Sequence, residues 1–242
     1  MRNTPRAVLF DVNETLSDLT PLAERFEDVG VPRSLMPGWF AGVLRDGFAL
    51  TAAGAYADFR SVARAGLRTV LRGAGTTGDP EDDVEHVLNG LAELTVHPDV
   101  PEGVRGLHTA GFRLATMTNG SAAGATDLLA RAGLADCFEA HLDVSGPQAW
   151  KPSPAAYRYA LSRLGLDPRE AVLVAVHPWD VDGALRAGLG AVWLRRLPLP
   201  YPEVFRDPDR VVSHLGDLPA ALGAGGTGGS TRGGCSHGDG GG

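Results

Sequence analysis

The chain has 242 residues, with 22 Lys and Arg against 29 Asp and Glu, a formal charge of -7 and 43% hydrophobic residues. That length holds one large domain, or a core with a smaller partner, and buries a sizeable core. The acidic balance and the scattered basic residues argue against a nucleic-acid partner, and no apolar run approaches the ~18 residues of a membrane span. The N-terminus lacks a charged-then-apolar leader pattern, so a cytoplasmic protein acting on a small molecule is the expectation. Cys137 and Cys235 sit in unrelated contexts and suggest neither a disulfide framework nor a zinc site.

Val8, Leu9 and Phe10 read as a strand buried on both faces, with Asp11 at its C-terminal end. Ligands of open α/β sheets collect outside the carboxyl ends of the strands, so Asp11 is placed to act as a nucleophile; the plain alternative is a cap for a following helix. From Leu19 to about Leu94 the pattern is helical, with breaks at Pro32, Pro37, Gly73 to Gly78 and Pro80. An excursion of that length after a first strand predicts an inserted helical cap, not an ordinary crossover. Trp39, Phe40, Leu44, Phe48, Tyr56 and Phe59 within it either pack the cap helices together or line a pocket.

A second strand runs from Phe112 into Thr118, Asn119, Gly120 and Ser121, a turn that offers either an N-cap or donors for an anionic ligand. A helix to about Ala132 and a short strand from Phe138 to Val144 follow. Lys151 then precedes Pro152 and Pro154 on a stiff loop, where it is either a fixed positive charge or a solvated surface residue. A helix from Pro154 to Leu164 leads to Ala171–Val176, the clearest buried strand, which ends in His177, Asp180 and Asp182. Ala191 to Leu194 forms a last strand. Repeated β-α units of this spacing imply a parallel sheet with right-handed crossovers. The expected organisation is an α/β, Rossmann-like core with helices on both faces (residues 1–16 and 97–220), an inserted helical cap (17–96) and a disordered Gly-rich tail (221–242).

Taken together, Asp11 with Thr15, Thr118 with Asn119, Lys151 with Tyr157, and His177 with Asp180 and Asp182 resemble the haloacid dehalogenase superfamily over nearly all of residues 6–197. Within it the chain looks most like the type II 2-haloacid dehalogenases, which have the same helical cap and the same Asn-Gly-Ser, Lys-Pro and Trp-Asp signatures. The resemblance implies that Asp11 attacks the halogen-bearing carbon of a small 2-haloalkanoic acid and leaves an ester that water hydrolyses to the 2-hydroxy acid. It further implies that Thr15 holds the carboxylate, Thr118 contacts the substrate carboxylate, Asn119 cradles the halide and Lys151 neutralises charge, with Tyr157 close by. Asp180 takes the place of the acid that activates water. Val12, Asn13, Phe40 and Arg45 complete the implied substrate-binding set; no cofactor and no metal are implied, and a homodimer through the cap is suggested.

The phosphatase branch shares this scaffold but uses an acid two positions after the nucleophile and binds magnesium. Here that position is Asn13, and Val174-Ala175 replaces the usual Gly-Asp, while Asp180 and Asp182 leave a metal site open. The chain also departs from the dehalogenases. Phe40 stands where they carry a halide-binding arginine, with Arg45 about one and a half turns further along. Ala175 replaces a serine, Glu14 a glycine, and His177 an asparagine. His177 is either a polar substitute or the base itself, and a third reading is a carboxylate-binding member without catalysis.

Overall fold

The computed structural model describes residues 4–75 and 79–223. The first strand, β1 (Ala7–Phe10), is buried along its whole length and lies at the centre of a parallel sheet. Its residues point alternately to two faces: Ala7 and Leu9 join one hydrophobic cluster, Val8 and Phe10 another. That two-sided burial explains why the strand reads as a continuous apolar run.

β2 (Arg113–Thr118) and β3 (Ala140–Asp143) extend the sheet on one side of β1, and β4 (Ala171–Ala175), β5 (Gly190–Leu194) and β6 (Arg210–Val212) on the other. The order is therefore β3-β2-β1-β4-β5-β6, every pairing parallel. Strand order reverses beside β1. The crevice between the carboxyl ends of β1 and β4 is thus the topological switch point, where α/β folds hold ligands.

The long helical excursion after β1 consists of α1 (Leu22–Asp28), α2 (Met36–Ala52), α3 (Phe59–Ala74) and α4 (Pro80–Glu93). Trp39 of α2 donates its indole N–H to the Ala63 carbonyl of α3 at 3.1 Å. Arg60, Arg64 and Arg68 of α3 pair with Glu81 and Glu85 of α4. Pro37, expected to break a helix, instead sits in the first turn of α2, where a missing N–H costs nothing.

α5 (Val100–Thr109) and α9 (Leu218–Ala221) pack on the Val8 and Phe10 face of the sheet. α7 (Pro154–Leu164) and α8 (Pro178–Arg186) cover the Leu9 face, and α6 (Ala122–Arg131) follows β2. Two sequence expectations shift. β6 was not anticipated, because only one of its three residues is buried and no apolar run marks it. Residues 221 and 222, expected to open the tail, belong to the fold: Ala221 ends α9 and Leu222 is buried at 5% exposure against the Val8 face. The expectation for residues 224–242 lies outside the described residues. Among the described residues no helix is long and apolar enough to cross a membrane.

Candidate active site

Asp11 follows β1 directly, and its backbone N–H still donates to the Val174 carbonyl of β4 at 3.1 Å. It caps no helix, since the next helix begins at Leu22 with Pro21 in its N-cap position. Its carboxylate is instead saturated by side chains. Thr15 donates its hydroxyl to Oδ2 at 2.6 Å, and Lys151 donates its ammonium to Oδ1 at 2.8 Å. His177 brings Nδ1 to within 3.3 Å of Oδ2. Thr15 is fixed in turn because its Oγ1 accepts the Val176 N–H at 3.0 Å.

Lys151 is fully buried and bridges two acids, reaching Asp180 Oδ2 at 2.6 Å as well as Asp11. Its backbone is clamped by Asn119, whose Oδ1 accepts the Lys151 N–H at 2.8 Å and whose Nδ2 donates to the Lys151 carbonyl at 3.3 Å. Of the two readings for the Thr118 to Ser121 turn, the N-cap falls to Ser121, which accepts the Gly124 N–H at 3.0 Å. Thr118 Oγ1 accepts the Gly120 N–H at 2.9 Å and keeps its own proton to donate.

Asp180 occupies the first turn of α8, just past Pro178. Tyr157, carried by α7, donates its hydroxyl to Asp180 Oδ1 at 2.6 Å, so both oxygens of this fully buried carboxylate are engaged. Asp182 does not join the group. It accepts from Arg186 Nε at 2.6 Å and from the Arg206 N–H at 3.1 Å. Among the described residues no set of three or more His, Cys, Asp or Glu side chains forms a metal cage, and the position between Asp11 and Asp180 is taken by the Lys151 ammonium.

The two acids are pushed in opposite directions. Burial works against the Asp11 charge, yet Lys151 and His177 outweigh it and hold the carboxyl far below the usual carboxylate range. Burial and the neighbouring Asp11 charge lift Asp180, against the pull of Lys151. Burial and Asp180 raise the Tyr157 hydroxyl well above its ordinary value, so it remains a donor.

Glu14 is the side chain whose part the sequence did not reveal. It sits at φ 62°, a left-handed conformation that turns its carboxylate back towards α8, where Oε2 meets His177 Nε2 at 2.8 Å. Burial would depress the His177 imidazole, but bonds to Asp11 and Glu14 push it up to about 9. The ring also stacks on Trp179, centroids 4.9 Å apart, in a geometry that suits a cation over an indole. Phe48 of α2 also meets Trp179, edge to face with centroids 4.9 Å apart. The available signal was the pairing of two departures of opposite charge, Glu14 and His177.

The implied substrate-binding set divides. Val12, Asn13 and Thr118 line one cavity of about 90 Å³ between the helical insertion and the sheet, together with Phe59, Leu91 and Leu128. Phe40 does not line it, being 3% exposed and packed between Trp39 and Phe59. Nor does Arg45, which is 76% exposed and paired with Asp46 on the solvent side of α2. A larger cavity of about 460 Å³ lies at the amino ends of β4 and β5, away from these groups.

A buried acid at the first strand end, a bridging lysine and a second acid after β4 define a hydrolase of the α/β class. A sequence model of the haloacid dehalogenase-like hydrolases matches residues 5–188, and the chain belongs to that family. It is 28% identical over 219 residues to the (S)-2-haloacid dehalogenase 1 of Pseudomonas sp. (strain CBS-3), covering 90% of this chain and 96% of that one. The L-2-haloacid dehalogenase structure from Xanthobacter autotrophicus superposes with a TM-score of 0.82 at 28% identity, over 90% of this chain and 98% of its own. A structure of the same enzyme with chloropropionic acid covalently bound gives 0.82 at 27% identity, over the same shares of the two chains.

Proposed function

We propose that this chain hydrolyses the carbon-halide bond of small 2-haloalkanoic acids, giving 2-hydroxy acids through an ester on Asp11. The observation that carries the reading is the Asp11 carboxylate, buried at 3% exposure, kept ionised, and held on a lysine ammonium and a threonine hydroxyl. Such a group is a preorganised oxygen nucleophile at the switch point of the sheet. Its relatives named as (S)-2-haloacid dehalogenases, and the neighbour with chloropropionic acid covalently bound, support the same chemistry.

In the first step an Asp11 oxygen forms a bond to C2 of the substrate while the halide leaves with the bonding pair. Lys151 lowers the repulsion between Asp11 and the incoming carboxylate, which in a site of low dielectric is worth several kcal/mol. Thr118, with a free hydroxyl proton beside the cavity, is placed to receive the substrate carboxylate. Water then attacks the ester at Cγ of Asp11, with Asp180 and His177 as the neighbouring acid-base groups.

One observation favours a second reading, carboxylate binding without turnover: Phe40 is packed away and Arg45 faces solvent, so neither presents a cation to a leaving halide. Single turnover of 2-chloropropionate in heavy-oxygen water separates the two. Hydrolysis through Asp11 places the label in the Asp11 carboxylate after one turnover, read by mass spectrometry of the peptide. Label appearing directly in the first hydroxy acid overturns the covalent route, and binding with no halide release in any 2-halo acid favours the second reading.

A further inference from the structure

We infer that Glu14 and His177 form the dyad that activates the hydrolytic water, with Asp180 holding Lys151 and Tyr157 in place. The inference rests on the ester route proposed above. Its first support is occupancy. Both oxygens of Asp180 are bonded, at 2.6 Å to Lys151 and 2.6 Å to Tyr157, and the side chain presents no exposed surface to a water. His177 is 14% exposed and carries Nδ1 to 3.3 Å from Asp11 Oδ2, the group whose ester must be attacked. Its other nitrogen is held by Glu14 at 2.8 Å, the relation of a base to the carboxylate that orients it.

The second support is the change of charge during the cycle. The charged groups meeting the imidazole are Asp11 at the end of β1 and Glu14 in the loop after it; Trp179 and, behind it, Phe48 of α2 are neutral. Lys151 and Asp180 act on it through Asp11, while His97 and Arg196 hold the backbone carbonyls of Glu14 and Thr15. In the resting enzyme the imidazole lies between two carboxylates and is a cation. Ester formation removes the Asp11 charge, so His177 keeps only Glu14 as counter-ion and releases the Nδ1 proton to solvent. The neutral ring, Nε2–H on Glu14, then takes one proton from water at Nδ1 as the water oxygen bonds to Asp11 Cγ. The ester Cγ–O bond breaks, the hydroxy-acid oxygen leaves with that proton, and the second water proton, left on the new Asp11 carboxyl, passes to His177 Nδ1, restoring the carboxylate and the resting imidazolium. The base thus becomes available only when there is an ester to hydrolyse.

Glu14 is a positioning residue in this scheme and His177 a catalytic one. With 2-chloropropionate, His177→Asn is expected to release one halide per site in a burst and to accumulate the Asp11 ester, with steady turnover down about 100-fold or more. Glu14→Gln should keep the burst, lose about 10-fold or more in kcat, and displace the acid limb of its pH profile, and Glu14→Asp should restore most of both. Ester accumulation in Asp180→Asn with hydrolysis unchanged in His177→Asn would overturn the assignment. An activity-independent readout is nitrogen-15 resonance of the His177 ring in Asp11→Asn, where a neutral amide stands in for the ester. The expected result is a bare Nδ1 and a protonated Nε2 at pH 8, whereas a ring still doubly protonated there overturns the proposal. If no 2-halo acid releases halide while the ring behaves as expected, the function proposed above fails and the charge-dependent dyad stands.

Discussion

At the scale of single residues, the site depends on one ammonium serving two carboxylates. Lys151 is fully buried, 2.8 Å from Asp11 and 2.6 Å from Asp180. Removing one member of a buried ionic group leaves uncompensated charge and costs about 3–5 kcal/mol. Lys151→Met is therefore expected to lose both halide release and several kcal/mol of stability, checked by a halide assay and urea denaturation. Full activity in that variant would remove the lysine from the mechanism. Residues of the site were legible as polar groups at the ends of apolar runs: Asp11 after β1, Thr118 as the last residue of β2, His177 and Asp180 after β4. What was not legible is how they divide their partners. Glu14 read only as a departure in place of a glycine, and its left-handed backbone, with His177 lying 163 residues further on, turns it into a counter-ion. Arg45 illustrates the opposite error. It entered the expected substrate-binding set as the arginine nearest to Phe40, and the helix surface it occupies faces solvent.

At the scale of elements, the helical insertion is fastened to the loop that carries the lysine. Trp150 donates its indole N–H to the Ala57 carbonyl at 2.9 Å and its backbone N–H to Thr51 Oγ1 at 3.0 Å, and its ring stacks on Phe59. α2 approaches so closely at Gly47 that a Cβ there would overlap the Trp150 ring. Gly47→Ala is expected to destabilise the fold by about 1–3 kcal/mol, as overpacking does, and to raise KM for the halo acid while leaving the Asp11 burst measurable. Denaturant midpoints and halide kinetics read the two effects separately. The aromatic residues of this region were expected either to pack or to line a pocket, and the structure does both. Trp39 and Phe40 pack, while Phe59 stacks on Trp150 and also borders the small cavity. Periodicity alone could not divide them, because the insertion buries one helix face against its own helices and another against α6 and the Trp150 loop. Strands with buried runs were legible, whereas β6, short and two-thirds exposed, left no trace in the apolar pattern.

At the scale of the whole molecule, the charges at the switch point set how stability depends on pH. His177 is raised from 6.5 to about 9, so its contribution is fully present below pH 6.5 and is lost as pH rises through 9. A shift of that size corresponds to about 3 kcal/mol, at ~1.4 kcal/mol for each pH unit. Asp11 acts oppositely: its depressed carboxyl contributes above its ordinary value of 3.8, and that contribution is lost as pH falls below it. The urea midpoint of the native chain is therefore expected to decline between pH 7 and 9.5, and His177→Asn to flatten that decline. A decline of equal size in the variant would assign the alkaline loss to other groups.

The fastening at Trp150 has one further consequence. Because the tryptophan and the lysine are adjacent in the chain, a substrate bulky enough to wedge α2 away from the sheet also drags on the loop that steadies the Asp11 charge. Selection by size is then felt as reactivity: an oversized acid meets a slackened nucleophile as well as a crowded cavity. Exchanging the insertion for one from a relative would redirect this protein only if the seat for Trp150 travelled with it.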